Sequence, residues 1–73
     1  MSSRPLIGQN VRRIRQSRSW TQEKLAIRSE LSPDYVNKLE MGRVNISLDS
    51  MDRLAKALKV HVSELLQITP KGQ

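Results

Sequence analysis

The stretch Thr21-Gln22-Glu23-Lys24-Leu25-Ala26-Ile27-Arg28-Ser29-Glu30-Leu31-Ser32-Pro33-Asp34-Tyr35-Val36-Asn37-Lys38-Leu39-Glu40-Met41-Gly42 decides how the chain folds. Counted from Gln22, Leu25 and Ala26 take the fourth and fifth places, Leu31 the tenth, Val36 the fifteenth and Leu39 the eighteenth. That spacing predicts two short amphipathic helices about a tight bend. Thr21 caps the first of them, helix 2, with Glu23 early where the helix dipole favours an acid; the helix ends near Ser29. Ser32 and Pro33 repeat the signal, a capping hydroxyl and then proline at the first helical position, where its missing N–H is not needed. Helix 3 runs to about Met41, and Gly42 closes it in the left-handed conformation. Gln22, Ser32, Asp34, Tyr35, Asn37 and Lys38 are left together on the outer face.

Outward from this stretch the pattern remains helical. Residues 1–4 read as a loose arm. From Pro5 to about Arg18, Ile7, Val11 and Ile14 recur at helical spacing, and Gly8 inside that helix invites close approach by a neighbour at a cost of roughly 1 kcal/mol in propensity. After a polar loop, Arg43-Val44-Asn45-Ile46, Ser47 caps helix 4, with a buried stripe of Leu48, Met51, Leu54, Ala55 and Leu58. A last helix, about Val62 to Ile68, carries Leu65 and Leu66 before a tail at 69–73. Trp20 falls between helices 1 and 2 as a core residue, and Met41 and Met51 read as gap-fillers. No strand pattern interrupts the chain. The expected fold is a compact all-α bundle of five helices, a single domain over residues 5–68.

The charge is unevenly placed. Seven basic residues, Arg4, Arg12, Arg13, Arg15, Arg18, Lys24 and Arg28, stand in the first 28 positions against Glu23 alone, so that segment holds the whole net charge of +6. A basic half on a small domain points to a polyanion, nucleic acid above all. Two helices about a bend, with polar residues on the outside of the second, then suggest a helix-turn-helix whose second helix enters the major groove of DNA.

Other classes find little support. With no cysteine among 73 residues there is neither a disulfide framework nor a thiolate metal site. The apolar runs are too short for a membrane span or a signal peptide, which leaves a cytoplasmic protein with no membrane partner. The single histidine, His61, has Glu64 three residues on, a capping arrangement rather than a metal or acid–base pair. No phosphate-binding glycine loop or nucleophile elbow is present, so no enzyme activity, cofactor or metal is expected.

Four blocks in order, Asn10-Val11-Arg12-Arg13-Ile14-Arg15, Thr21-Gln22-Glu23-Lys24-Leu25-Ala26, Leu39-Glu40-Met41-Gly42-Arg43 and Leu54-Ala55-Lys56-Ala57-Leu58, carry a family resemblance. Over roughly residues 6–68 the chain resembles the lambda repressor-like DNA-binding domains, the Cro or xenobiotic-response-element type of bacterial and phage regulators. The resemblance implies that Gln22 touches the DNA backbone and braces the recognition helix. It implies that Ser32, Pro33, Asp34, Asn37 and Lys38 face bases or phosphates, that the Tyr35 hydroxyl meets a phosphate, and that Arg43 and Asn45 grip the backbone. Arg15 and Glu40 match a buried ion pair joining helix 1 to helix 3. Small phage repressors and restriction-modification controller proteins are similar in size.

Residue chemistry weighs on these assignments. Ser32 and Pro33 are already explained as helix-start residues, and Asp34 by the dipole, although a carboxylate there can accept from cytosine N4. Asn37 and Lys38 have no competing packing role and are the chief specificity candidates, Asn suiting adenine and Lys guanine. Two departures stand out: Glu30 occupies the bend where the family has glycine, and Ser19 replaces another frequent glycine. Either the bend is strained or it takes another shape. Ile27 falls on the outer part of helix 2.

The expectation is therefore a sequence-specific regulator of transcription on double-stranded DNA. It works as a homodimer through the C-terminal helix, where Leu66 and Ile68 offer spare apolar area, with no small-molecule ligand. An antitoxin or other protein-interaction module on the same fold is the alternative. Nonspecific coating of nucleic acid is a third reading.

Overall fold

The computed structural model describes residues 4–68, which form five helices and no strand. They are α1 (Arg4–Ser17), α2 (Gln22–Ser29), α3 (Pro33–Glu40), α4 (Leu48–Leu58) and α5 (Val62–Leu65). Residues 1–3 of the expected arm and the tail at 69–73 lie outside the described residues. Arg4, assigned to the arm by the sequence, already belongs to α1.

The helix starts follow the expected chemistry. The hydroxyls of Thr21, Ser32 and Ser47 accept from the backbone N–H groups of Lys24, Tyr35 and Ser50, each at 3.0 Å. Each bond satisfies one donor that the first turn leaves unpaired.

The ends of α1 to α4 share one device. The N–H groups of Trp20, Leu31, Arg43 and Val60 return to the carbonyls of Arg15, Ala26, Lys38 and Ala55 at 2.9 to 3.2 Å. Each reversal turns about a left-handed residue: Ser19 (φ 59°), Glu30 (φ 61°), Gly42 (φ 73°) and Lys59 (φ 59°). The bend before α3 thus keeps the left-handed geometry with a side chain in place, at a cost of roughly 1–2 kcal/mol. Arg53 supports it: its guanidinium donates to the Glu30 carbonyl at 3.3 Å and lies 3.9 Å from the Glu30 carboxylate.

The core collects Ile7, Val11 and Ile14 from α1, Leu25 and Ala26 from α2, and Val36 and Leu39 from α3. Met51, Leu54, Ala55 and Leu58 come from α4 and Leu65 from α5. Gly8 allows α1 to rest directly on α3: a Cβ there would stand 2.3 Å from the Leu39 carbonyl oxygen and 2.9 Å from that of Glu40.

Four expectations need correction. Leu48 is 80% exposed, because helical spacing aims it along the stripe but no neighbour covers the first turn of α4. Met41, at the C-cap of α3, is likewise exposed instead of filling the core. Trp20 is half-buried at the core's edge, with the Lys24 ammonium and Arg28 guanidinium over its ring at 5.3 and 5.5 Å, within cation–π range. Finally, α5 stops at Leu65 rather than Ile68. The buried Asn10 amide of α1 takes the carbonyls of Leu65 and Gln67 at 2.8 and 2.7 Å, which draws the chain away from a further turn.

Candidate nucleic-acid interface

The eight residues of α3 divide sharply between two sides. Val36, Leu39 and Glu40 are buried, whereas Pro33, Asp34, Asn37 and Lys38 are exposed, as is the capping Ser32. Tyr35 is half-buried at the rim. A periodic apolar stripe therefore turns Asp34, Asn37 and Lys38 toward solvent and leaves Tyr35 at the edge.

Glu40 is held from below by Arg15. The guanidinium of this α1 residue donates from Nε to Oε2 at 2.7 Å and from Nη2 to Oε1 at 3.0 Å, while Nη1 donates to the Trp20 carbonyl at 2.7 Å. The two side chains are 10% and 3% exposed. In this dry setting the fork-to-fork geometry fixes the angle at which α3 crosses α1. Among the described residues no buried side-chain nitrogen or oxygen lacks a partner.

The network continues outward to the polar face. Gln22, the first residue of α2, donates from Nε2 to Glu40 Oε1 at 3.0 Å and accepts at Oε1 from Asn37 Nδ2 at 3.2 Å. One glutamine thus ties the start of α2 to both the buried end and the exposed middle of α3. Lys38 pairs with Asp34 one turn back, at 3.1 Å, wholly on the surface. Between the starts of the two helices lies an open depression of ≈ 590 Å³. Thr21, Gln22 and Glu23 line one side, and Pro33, Asp34 and Asn37 the other.

Beyond α3 the loop expected to be polar alternates. Arg43 and Asn45 are exposed, whereas Val44 and Ile46 are half-buried against the core. The apolar pair anchors the loop and turns the two polar side chains outward. The structure thus joins Gln22 to Asn37 and Asp34 to Lys38 by two separate contacts, with Gln22, Asp34 and Asn37 lining one depression, but joins neither Arg43 nor Asn45 to them. The family resemblance implies that Gln22 braces the recognition helix but not that Asn37 is its partner, and no sequence pattern announces the Asn10 clasp on the end of α5. Both join residues far apart in the chain through polar groups, which leave no periodic signal.

No helix of the described residues is long and apolar enough to cross a membrane. A family model described as helix-turn-helix matches residues 11–65. Control protein C.BamHI of Bacillus amyloliquefaciens is 44% identical over 70 residues, covering 94% of this chain and 86% of that protein. The uncharacterized HTH-type transcriptional regulator y4dJ of Sinorhizobium fredii is 40% identical over 73 residues, covering 100% of this chain and 92% of its own. Among solved structures, the restriction-modification controller protein C.AhdI of Aeromonas hydrophila superposes with a TM-score of 0.82 at 38% identity, covering 84% of this chain and 92% of that one.

Proposed function

Since the chain belongs to the XRE-type helix-turn-helix family of DNA-binding transcriptional regulators, we propose that it binds an operator as a homodimer, with α3 in the major groove. The observation that carries this reading is the split of α3. Its inner side is locked to α1 through Arg15 and Glu40, and its outer side presents Asp34, Asn37 and Lys38 beside the helix-starting Pro33. A rigid helix with a polar, uncovered face suits the recessed edges of base pairs. Gln22 and α2 lie across the sugar-phosphate backbone, and Tyr35, Arg43 and Asn45 reach phosphates on either side. Ser32 stays a helix cap in this arrangement, its hydroxyl turned to the Tyr35 N–H.

One module of this size contacts too few base pairs to address a genome. Pairing two copies doubles the site. Leu66 and Ile68, 43% and 79% exposed just past α5, supply the apolar surface for the pairing, and the Asn10 clasp sets where that surface lies. The two half-sites then fall about 34–36 Å apart on a near-palindrome.

Selection of bound duplexes from a random pool at about 150 mM salt tests the reading, because phosphate-driven binding weakens steeply with salt. The expected result is a near-palindromic motif, together with a dimer mass in sedimentation at tens of micromolar. An unenriched pool defeats the operator reading, and a monomer at that concentration defeats the dimer.

A further inference from the structure

We propose that Asn37 reads adenine, and that the buried Glu40 carboxylate dictates this choice by fixing, through Gln22, which way the Asn37 amide faces. The inference rests on the reading that α3 enters the major groove and goes beyond it by naming the base.

The argument is one of donors and acceptors passed along a line. A carboxylate only accepts, and that of Glu40 already takes two donors from Arg15. A side-chain amide carries an oxygen at one corner and an NH2 at the other. Gln22 must therefore turn its NH2 toward Glu40, as found at 3.0 Å, and its oxygen away. That oxygen only accepts, so Asn37 must turn its own NH2 toward Gln22, as found at 3.2 Å. Flipping either amide would bring two oxygens or two NH2 groups face to face. The orientation of an exposed asparagine is thus settled by a carboxylate buried one turn further along α3.

What remains on Asn37 is one N–H and the carbonyl oxygen. In the major groove, adenine alone offers an acceptor (N7) beside a donor (N6–H), which one donor and one acceptor match. Guanine offers two acceptors, O6 and N7, and would need both N–H groups of the amide. One of these is already given to Gln22. Gln22 and Glu40 are positioning residues here. Asn37 makes the contact.

The test uses the selected operator and duplexes in which each base pair of a half-site is changed to the other three, with affinity ratios measured for the full chain. Wild type is expected to show one position per half-site where adenine is preferred by roughly 5- to 150-fold, which is about 1–3 kcal/mol at about 1.4 kcal/mol per tenfold. Asn37→Ala should abolish that preference and leave the other positions unchanged. Gln22→Leu should give a different signature. Binding to every duplex weakens, and at the Asn37 position discrimination against guanine collapses to within a few-fold while cytosine and thymine stay disfavoured. Loss of bracing or of stability would lower all four bases alike, so the adenine-to-guanine ratio separates the relay from a structural role. A motif in which Asn37→Ala relaxes a guanine position, or none, overturns the inference and leaves the operator reading standing. An unchanged adenine-to-guanine ratio in Gln22→Leu overturns the relay. A pool without any motif removes the reading on which both rest.

Discussion

Two ion pairs belong to α3, and they differ in almost every respect except formal charge. Arg15 and Glu40 join helices 25 residues apart in the chain, through two short bonds, with side chains 10% and 3% exposed. Asp34 and Lys38 lie one turn apart on the same helix, through a single 3.1 Å contact, with Lys38 51% and Asp34 76% exposed. Water screens the second pair, whose members gain little from each other. It is excluded from the first, where an unpaired charge would have nothing to replace its hydration. One pair therefore determines where the helix sits. The other determines only what charge its outer face carries, and its exposed members are free to part without disturbing the fold.

The sharpest way to break this contrast is Glu40→Ala. It strands the Arg15 guanidinium with only the Trp20 carbonyl and removes the acceptor for Gln22. The expected loss is about 3–5 kcal/mol. A chain of this length holds about 4–11 kcal/mol in total, so the variant should be largely unfolded or melt far below wild type in urea. A loss under about 1 kcal/mol would place the buried pair in the same class as the surface one.

Gly8→Ala asks how the buried pair comes to be buried at all. α1 meets α3 backbone to backbone at this point, and the added methyl would stand 2.3 Å from the Leu39 carbonyl oxygen. Carbonyls of a helix do not swing aside as side chains do, so the helices must part near the Glu40 end. We expect a destabilisation of about 1–3 kcal/mol by overpacking, despite a gain of up to about 1 kcal/mol in helix propensity. A thermal melt at or above the wild-type midpoint would mean that the close approach is incidental.

The same contrast explains what the sequence made legible. Helix starts depend on one side chain and its next few N–H groups, so Thr21, Ser32 and Ser47 announce themselves. Of the helix ends only that of α3 carries a glycine signal, Gly42; Ser19, Glu30 and Lys59 adopt the same left-handed turn with side chains in place. Apolar spacing located nearly the whole core but misjudged Leu48, since periodicity gives a direction and not the presence of a neighbour. At the interface, the exposure of Asn37, Asp34 and Lys38 follows from periodicity, and the Arg15–Glu40 pair from the family resemblance. The Gln22 to Asn37 link spans 15 residues and depends on the angle between two helices, which no local pattern encodes.

Asp34→Ala is the smallest expected effect and runs in two directions at once. Stability should fall by only about 0.3–1 kcal/mol, combining the screened contact with Lys38 and the favourable place of an acid in the first turn. Binding to random-sequence duplex should tighten, because an anion leaves the face proposed to meet phosphates and the Lys38 ammonium is released from its partner. Affinity and melting midpoint thus move oppositely, the reverse of Glu40→Ala, where both fall. Titration of a fluorescent random duplex at about 50 and 150 mM salt reads the first quantity, with the larger gain expected at the lower salt. Unchanged binding of random duplex by Asp34→Ala at both salt concentrations would show that the carboxylate is not on the DNA-facing side, and would count against the placement of α3 rather than against its stability.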